Sequence, residues 1–318
     1  MILLHPEGNG TTGTAIAIFG TGLLGLSILE SLQVQECRPA RELPLHWPNP
    51  YIRRSQLQSI EGNLRRALKG GARLSVVWTA GRAGFHSGDA ETAAELQSFG
   101  EVLAMSERLA REYPQMSFHL VSSAGGLFEG QRHVTSQSRP RPRRPYGHLK
   151  LRQEELLQAG TLLTRRIYRV TTAYGYARPR FRAGLVTTLI LHGLLRTVTT
   201  ITGMMDTLRD FVFAGDVGRF IAERLVGDAY DSAGVVLLAR GPAQFCPRGP
   251  APCGGSDRTQ TARLLQRKRS ECRGHHLFRR HCPGGVASVR YSGERRNDPA
   301  RCHLPASAAA FAPVEATG

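Results

Sequence analysis

The chain has 318 residues, 41% of them hydrophobic, and a formal net charge of +17. Such a composition lies outside the disordered class, and the length allows one large domain with a buried core plus a smaller lobe. No run of about eighteen apolar residues is present, which argues against a membrane span, and residues 1–13 lack the basic-then-apolar order of a secretory leader. A cytoplasmic protein is expected.

The charge invites a nucleic-acid reading, but its distribution weakens that reading. Residues 1–240 hold 29 Lys+Arg against 20 Asp+Glu, and residues 241–318 hold 13 against 5. The last quarter thus supplies nearly half of the net charge. Lysine occurs only at 69, 150 and 268, an arginine bias that genome composition explains as readily as phosphate contacts. Cysteine is skewed in the same way: Cys37 stands alone before residue 240 and five more follow. A reduced cytosolic protein fits the first part.

In chain order, Thr14-Ala-Ile-Ala-Ile-Phe19 is a short apolar run and predicts a buried parallel strand. Glycines follow at once, and Leu26, Ile28, Leu29 and Leu32 predict a helix packed on the sheet. Further strands are expected at 74–79, 118–122 and 166–172, and helices at 93–112 and 149–163. Alternating strands and helices predict an α/β fold, a Rossmann-type doubly wound parallel sheet. From about Gly241 the sequence is rich in Arg, Cys, Pro, Gly and Ser and has little apolar periodicity. The expected organisation is a dinucleotide-binding domain with the catalytic helix over 14–175, a partial substrate-binding lobe over 176–240, and an irregular tail over 241–318.

Gly20-Thr21-Gly22-Leu23-Leu24-Gly25 follows a strand and opens a helix, which is the context a dinucleotide fingerprint requires. The first glycine permits a tight turn, the second lets backbone approach a pyrophosphate, and the third allows close helix–strand packing. The acidic residue expected about twenty positions on is ambiguous. Glu42 is a candidate for a ribose, while Arg38 and Arg41 could accept a 2′-phosphate, so NAD is expected and NADP stays open.

Tyr146 and Lys150 are four apart, on one face of a helix whose first turn begins at Pro145. A free tyrosine titrates near 10, about three units too high for a base at neutral pH. A neighbouring ammonium lowers it by about one to three units. Ser122 and Ser123 end a strand, where the crevice of such a sheet opens.

Together these residues resemble the extended short-chain dehydrogenase/reductases, the NAD-dependent epimerase/dehydratase family. The resemblance runs from about Ala15 to Leu238, with its pieces in family order. It implies that Ala80 and Gly81 border the cofactor, that Ser123, Tyr146 and Lys150 are catalytic, that Tyr146 and Lys150 also bind the cofactor, and that Ser123 also contacts the substrate. It places Thr172 where an Asn usually stands near the substrate and gives Arg209 the substrate diphosphate. The implied activity is epimerisation of a nucleotide-linked sugar. Dehydratases of the family carry Asp-Glu after the catalytic Ser/Thr, and this chain has Ala124-Gly125. A keto-sugar reductase and a non-catalytic dinucleotide-binding protein are the rival readings. A homodimer through the helices near 93–112 and 149–163 is implied.

Past Leu238-Ala-Arg-Gly241 the resemblance stops. The tail has the character of a shifted reading frame in a GC-rich gene or of a disordered segment. Its Cys and His spacings match no common zinc pattern, so no metal is expected, and its scarcity of aromatics argues against nucleic acid.

Overall fold

The computed structural model describes residues 1–6, 14–35, 37–69, 72–175, 184–202, 208–227 and 234–240, with strand fragments at 244–245 and 259–262. The apolar runs build the centre. Strands β1 (Ile2–Pro6), β2 (Thr14–Phe19), β3 (Cys37–Glu42), β4 (Arg73–Trp78), β5 (Met116–Ser123), β6 (Thr164–Val170) and a strand at Gly234–Leu238 form one sheet. The strands β2, β4, β5, β6 and 234–238 are parallel neighbours. Ala15 to Phe19 are buried without alternation, as a strand covered on both faces must be.

Helices cover the two faces. On one side α2 (Pro50–Leu68), α3 (Asp89–Glu112) and α5 (Pro145–Ala159) bury Leu57, Ile60, Leu64, Phe99, Val102 and Leu157 against Trp78 and Phe118. On the other, α1 (Leu23–Val34) and α7 (Ala214–Val226) bury Ile28, Leu32, Val217 and Ile221 against Ile16, Ile18 and Val77. Each such side chain contributes about 1.5–3 kcal/mol by leaving water. Between β5 and α5 lies the single turn α4 (Ala124–Leu127).

The expected doubly wound sheet is present, with differences at the ends of elements. Helix α3 begins at Asp89 rather than 93, and α5 runs 145–159 rather than 149–163, ending at Gly160. The strand expected at 166–172 stops at Val170. Thr171 turns its hydroxyl to Asp210 at 2.9 Å, and β7 (Thr172–Tyr174) pairs away with β10 (Phe211–Phe213). Helix α2 has a cap that spacing alone leaves unread: Asn49 Oδ1 accepts from the Tyr51 and Ile52 N–H groups, with Pro50 in the first turn.

One edge departs from a purely parallel sheet. Strand β1 runs antiparallel between β2 and β3, so Glu42 is level with Ile2, and Ile2 with Ile18. Beyond the sheet lie α6 (Leu185–Leu194), which buries none of its residues, and two short antiparallel pairs. Thr199–Thr202 (β8) pairs with 259–262, and Leu208–Arg209 (β9) with 244–245. These two fragments are the described part of the tail; its Cys246, Cys253, Cys272, Cys282 and Cys302 lie outside the described residues. Among the described residues no helix is long and apolar enough to cross a membrane, and no cluster of metal-ligating side chains occurs.

Candidate active site

The sheet's topological switch lies between β2 and β4, where open α/β sheets form their crevice. The glycine loop leaves β2 here and meets the end of β4. Gly20 has φ +103°, and a Cβ on it would stand 2.4 Å from the Ala80 nitrogen. A Cβ on Gly25 would stand 2.0 Å from the Gly20 oxygen, so loop and helix touch. Thr79 Oγ1 donates to that oxygen at 2.7 Å, fastening β4 to the loop. At Gly22, the N-cap of α1, a Cβ would meet nothing within 4 Å. That opening faces first-turn N–H groups that have no acceptor within the helix. Thr21, Leu23 and Leu24, its neighbours in the chain, stay partly exposed. Open backbone beside a helix N-terminus fits a dinucleotide pyrophosphate.

The serine and tyrosine are joined by close backbone packing. Ser123 closes β5 and caps α4, its Oγ accepting from the Gly126 N–H at 3.2 Å. A Cβ on Gly126 would lie 3.0 Å from the Tyr146 ring, and one on Gly147 would lie 2.3 Å from the Gly126 oxygen. Only glycines let α4 and α5 approach so closely. Ser122 points elsewhere: it is buried and donates to Glu154 Oε1 at 2.6 Å.

Lys150 follows one turn after Tyr146, its Nζ 5.7 Å from the centre of the tyrosine ring. It is buried, donating to Glu95 Oε1 at 3.0 Å and to Gln153 Oε1 at 3.1 Å. Burial pushes the ammonium down, but Glu95 above all, with Tyr146 and Glu154 nearby, outweighs it and holds Lys150 above the ordinary lysine value. One turn further on, Glu154 pairs with Arg169 of β6 at 2.7 Å, both side chains buried. Glu95, Gln153, Glu154 and Arg169 escape sequence reasoning because their partners lie on other elements or look like ordinary helix polarity.

Phe85, in the loop after β4, joins the remaining residues. Its ring lies 5.7 Å from that of Tyr146 and would lie 3.5 Å from a Cβ on Gly125. The guanidinium of Arg209 stands 5.9 Å from it and that of Arg144 5.8 Å. Arg209 therefore sits one aromatic ring away from Tyr146. Ala80 is buried beside the glycine loop, and Gly81, with φ +148°, follows it in the turn. Thr172 lies farther along, on β7, its N–H donating to the Asp210 carbonyl at 2.9 Å.

The ribose candidate fits less well. Strand β1 separates Glu42 from β2 by two strand spacings, about 9–10 Å. Arg41 is engaged by Asn63 Oδ1; the Arg38 side chain lies outside the described residues.

Comparison with known proteins agrees with this fold. The UDP-glucose 4-epimerase of Thermus thermophilus, solved with NAD, is 18% identical over 73% of this chain and 79% of its own, with a TM-score of 0.56. The UDP-glucose 4-epimerase of Thermotoga maritima, solved with UDP-glucose, is 18% identical over 73% and 78%, with a TM-score of 0.57. The dTDP-4-dehydrorhamnose reductase of Bacillus anthracis, solved with NADP, is 18% identical over 75% and 78%, with a TM-score of 0.56. At such identities the likeness is one of fold. No curated protein sequence matches the chain. The family model of the NAD dependent epimerase/dehydratase family matches residues 62–231, more than half of the chain and a span that includes Ala80, Ser123, Tyr146, Lys150 and Arg209. With that match and the Rossmann-type fold together, the chain belongs to the NAD-dependent epimerase/dehydratase family of enzymes.

Proposed function

We propose that this chain is a sugar-nucleotide epimerase working through Ser123, Tyr146 and Lys150. The convergence of Tyr146 with the Ser123 turn, one strand away from the glycine loop, carries the reading. Gly20 to Gly25, Ala80, Gly81 and Lys150 would hold NAD, which supplies the hydride acceptor. Tyr146 removes the proton from the substrate hydroxyl and later returns it to the reacting oxygen. Ser123 Oγ donates a hydrogen bond to that oxygen. Lys150 places its positive charge beside the tyrosine and reaches the ribose hydroxyls. Arg209 holds the diphosphate of the nucleotide, and Thr172 lines the sugar site.

Gly125 stands where family dehydratases carry an acid, which favours epimerisation over dehydration. In this reading 14–175 is the cofactor domain and 176–240 a partial substrate lobe. The protein works in the cytoplasm, as a homodimer through α3 and α5. One observation favours a second reading, a dinucleotide-binding protein without turnover: α6, inside the substrate lobe, buries none of its residues.

The test measures NAD binding and UDP-glucose turnover on the same preparation. Tyr146→Phe is expected to lower turnover by at least about 100-fold, the usual contribution of a general acid–base group, and to leave NAD affinity unchanged. Undiminished turnover sinks the mechanism. NAD binding without turnover of any sugar nucleotide in the wild type establishes the second reading.

A further inference from the structure

Glu95 belongs to α3, yet its carboxylate reaches three other parts of the site. Oε1 accepts from Lys150 Nζ at 3.0 Å and from Gln153 Nε2 at 3.4 Å. Oε2 accepts from the Ala83 N–H at 3.1 Å. At Gly81, whose φ of +148° favours glycine, a Cβ would lie 2.5 Å from Oε1, so the loop passes closely over the carboxylate. One side chain thereby ties α5 to residues 81–83, the turn that leads away from the glycine loop. The Glu95 and Lys150 side chains are 7% and 8% exposed. A buried ion pair is seldom retained for stability, since an apolar pair of similar volume serves as well or better. An ammonium has three donors. Glu95 and Gln153 take two, and this fixes the direction of the third.

We infer that Glu95 is a positioning residue of the cofactor site, holding the Lys150 ammonium and the 81–83 loop in one arrangement that directs the remaining N–H of Lys150 to a ribose hydroxyl of the bound dinucleotide. This rests on the reading of Lys150 as the ribose contact. The charged or titratable groups facing Lys150 are Glu95 from α3 and Tyr146 and Glu154 from its own helix. Of these, Glu95 gives the largest upward push against the effect of burial. Without its charge, burial is left opposed only by the weaker pair.

The chain has three lysines, so lysine labelled with 13C at Cε gives three resonances in the full-length protein. Lys150→Arg identifies the resonance of interest. In the wild type it titrates above the ordinary lysine value. Glu95→Gln, which keeps the shape and loses the charge, is expected to lower that midpoint by about one pH unit or more, a tenfold change in proton affinity. NAD affinity, read from quenching of Trp fluorescence, is expected to fall severalfold, because the ammonium and the 81–83 loop lose their common anchor. Glu95→Asp keeps the charge but withdraws the carboxylate by one methylene. It is expected to preserve the midpoint and still weaken NAD. An unchanged Lys150 midpoint together with wild-type NAD affinity in Glu95→Gln overturns the inference, as does a change confined to melting temperature. If Glu95→Gln does not fold, Glu95→Asp decides: wild-type NAD affinity there overturns it too. A Lys150→Met protein that binds NAD as tightly as wild type refutes the ribose-contact reading instead, whatever Glu95 does.

Discussion

Gly22 and Gly25 are three positions apart and carry different constraints. A methyl group on Gly25 would meet the Gly20 oxygen at 2.0 Å and Thr79 Oγ1 at 2.7 Å, whereas one on Gly22 would meet nothing within 4 Å. Gly25→Ala is therefore expected to cost about 1–3 kcal/mol of stability by overpacking and to lose NAD binding with it. Gly22→Ala should leave the melting temperature near wild type and weaken NAD alone, because the methyl fills the space a pyrophosphate needs. Thermal melts beside calorimetric NAD titrations separate the two; a Gly22→Ala protein with full NAD affinity would remove Gly22 from the site. Both glycines are legible from spacing after a strand. Glu95 is not, because its partner Lys150 lies 55 positions away and only the packing of α3 on α5 brings them together.

Helix α5 shows what an element adds to its residues. Apolar spacing suggests a helix from 149 to 163, but the segment starts at Pro145 and so carries Tyr146 in its first turn. Pro145 marks that start locally, whereas the contact between Gly147 and Gly126, which holds the first turn against α4, is one no local pattern reports. A methyl on Gly147 would strike the Gly126 oxygen at 2.3 Å and Pro142 Cβ at 2.7 Å. Gly147→Ala is expected to push α5 away from α4, lowering stability by about 1–3 kcal/mol and turnover by more than NAD binding, since α5 carries Tyr146 and Lys150 while the other cofactor contacts sit on the unmoved glycine loop and the 80–81 turn. Equal losses of both activities would contradict this. Helix α2 is the converse case. Leu57, Ile60, Leu64 and Leu68 have helical spacing behind an Asn-Pro start, so the information was present, masked by the prolines at 44, 48 and 50 that lead into it.

Across β4, β5 and β6, at the centre of the sheet, runs a largely buried polar ladder. Ser75 of β4 meets Ser117 of β5 at 2.9 Å, Ser117 meets His119 Nε2 at 3.0 Å, and His119 Nδ1 meets the Tyr168 hydroxyl of β6 at 3.0 Å. Burial, with the charge of Arg166, pushes His119 down to about 3, and burial pushes Tyr168 up to about 12. The sign follows from the histidine's ordinary value of 6.5. Between that value and about 3 the unfolded chain binds the proton and the folded chain does not. The His119 contribution to stability is thus complete above pH 6.5 and declines as pH falls toward 3, by up to about 1.4 kcal/mol per pH unit. Urea unfolding at pH 7, 6, 5 and 4 should show this loss, and His119→Gln should flatten it. An equally steep decline in that variant would place the acid sensitivity elsewhere.

The amino-acid sequence determined the architecture of the centre by itself. Unbroken apolar runs alternating with helical segments suit a parallel sheet covered on both faces, and glycines placed where β2 turns into α1 mark its switch point. It also determined the order Ser123, Tyr146, Lys150, because four residues make one helical turn. Tertiary structure alone decided three further things. Strand β1 is inserted beside β2, which moves Glu42 away from the place a ribose acid would take. Phe85 meets Tyr146 and two arginines, Arg144 and Arg209. Glu95 is paired with Lys150. Each depends on which remote segments the core brings together, and local periodicity carries no record of that.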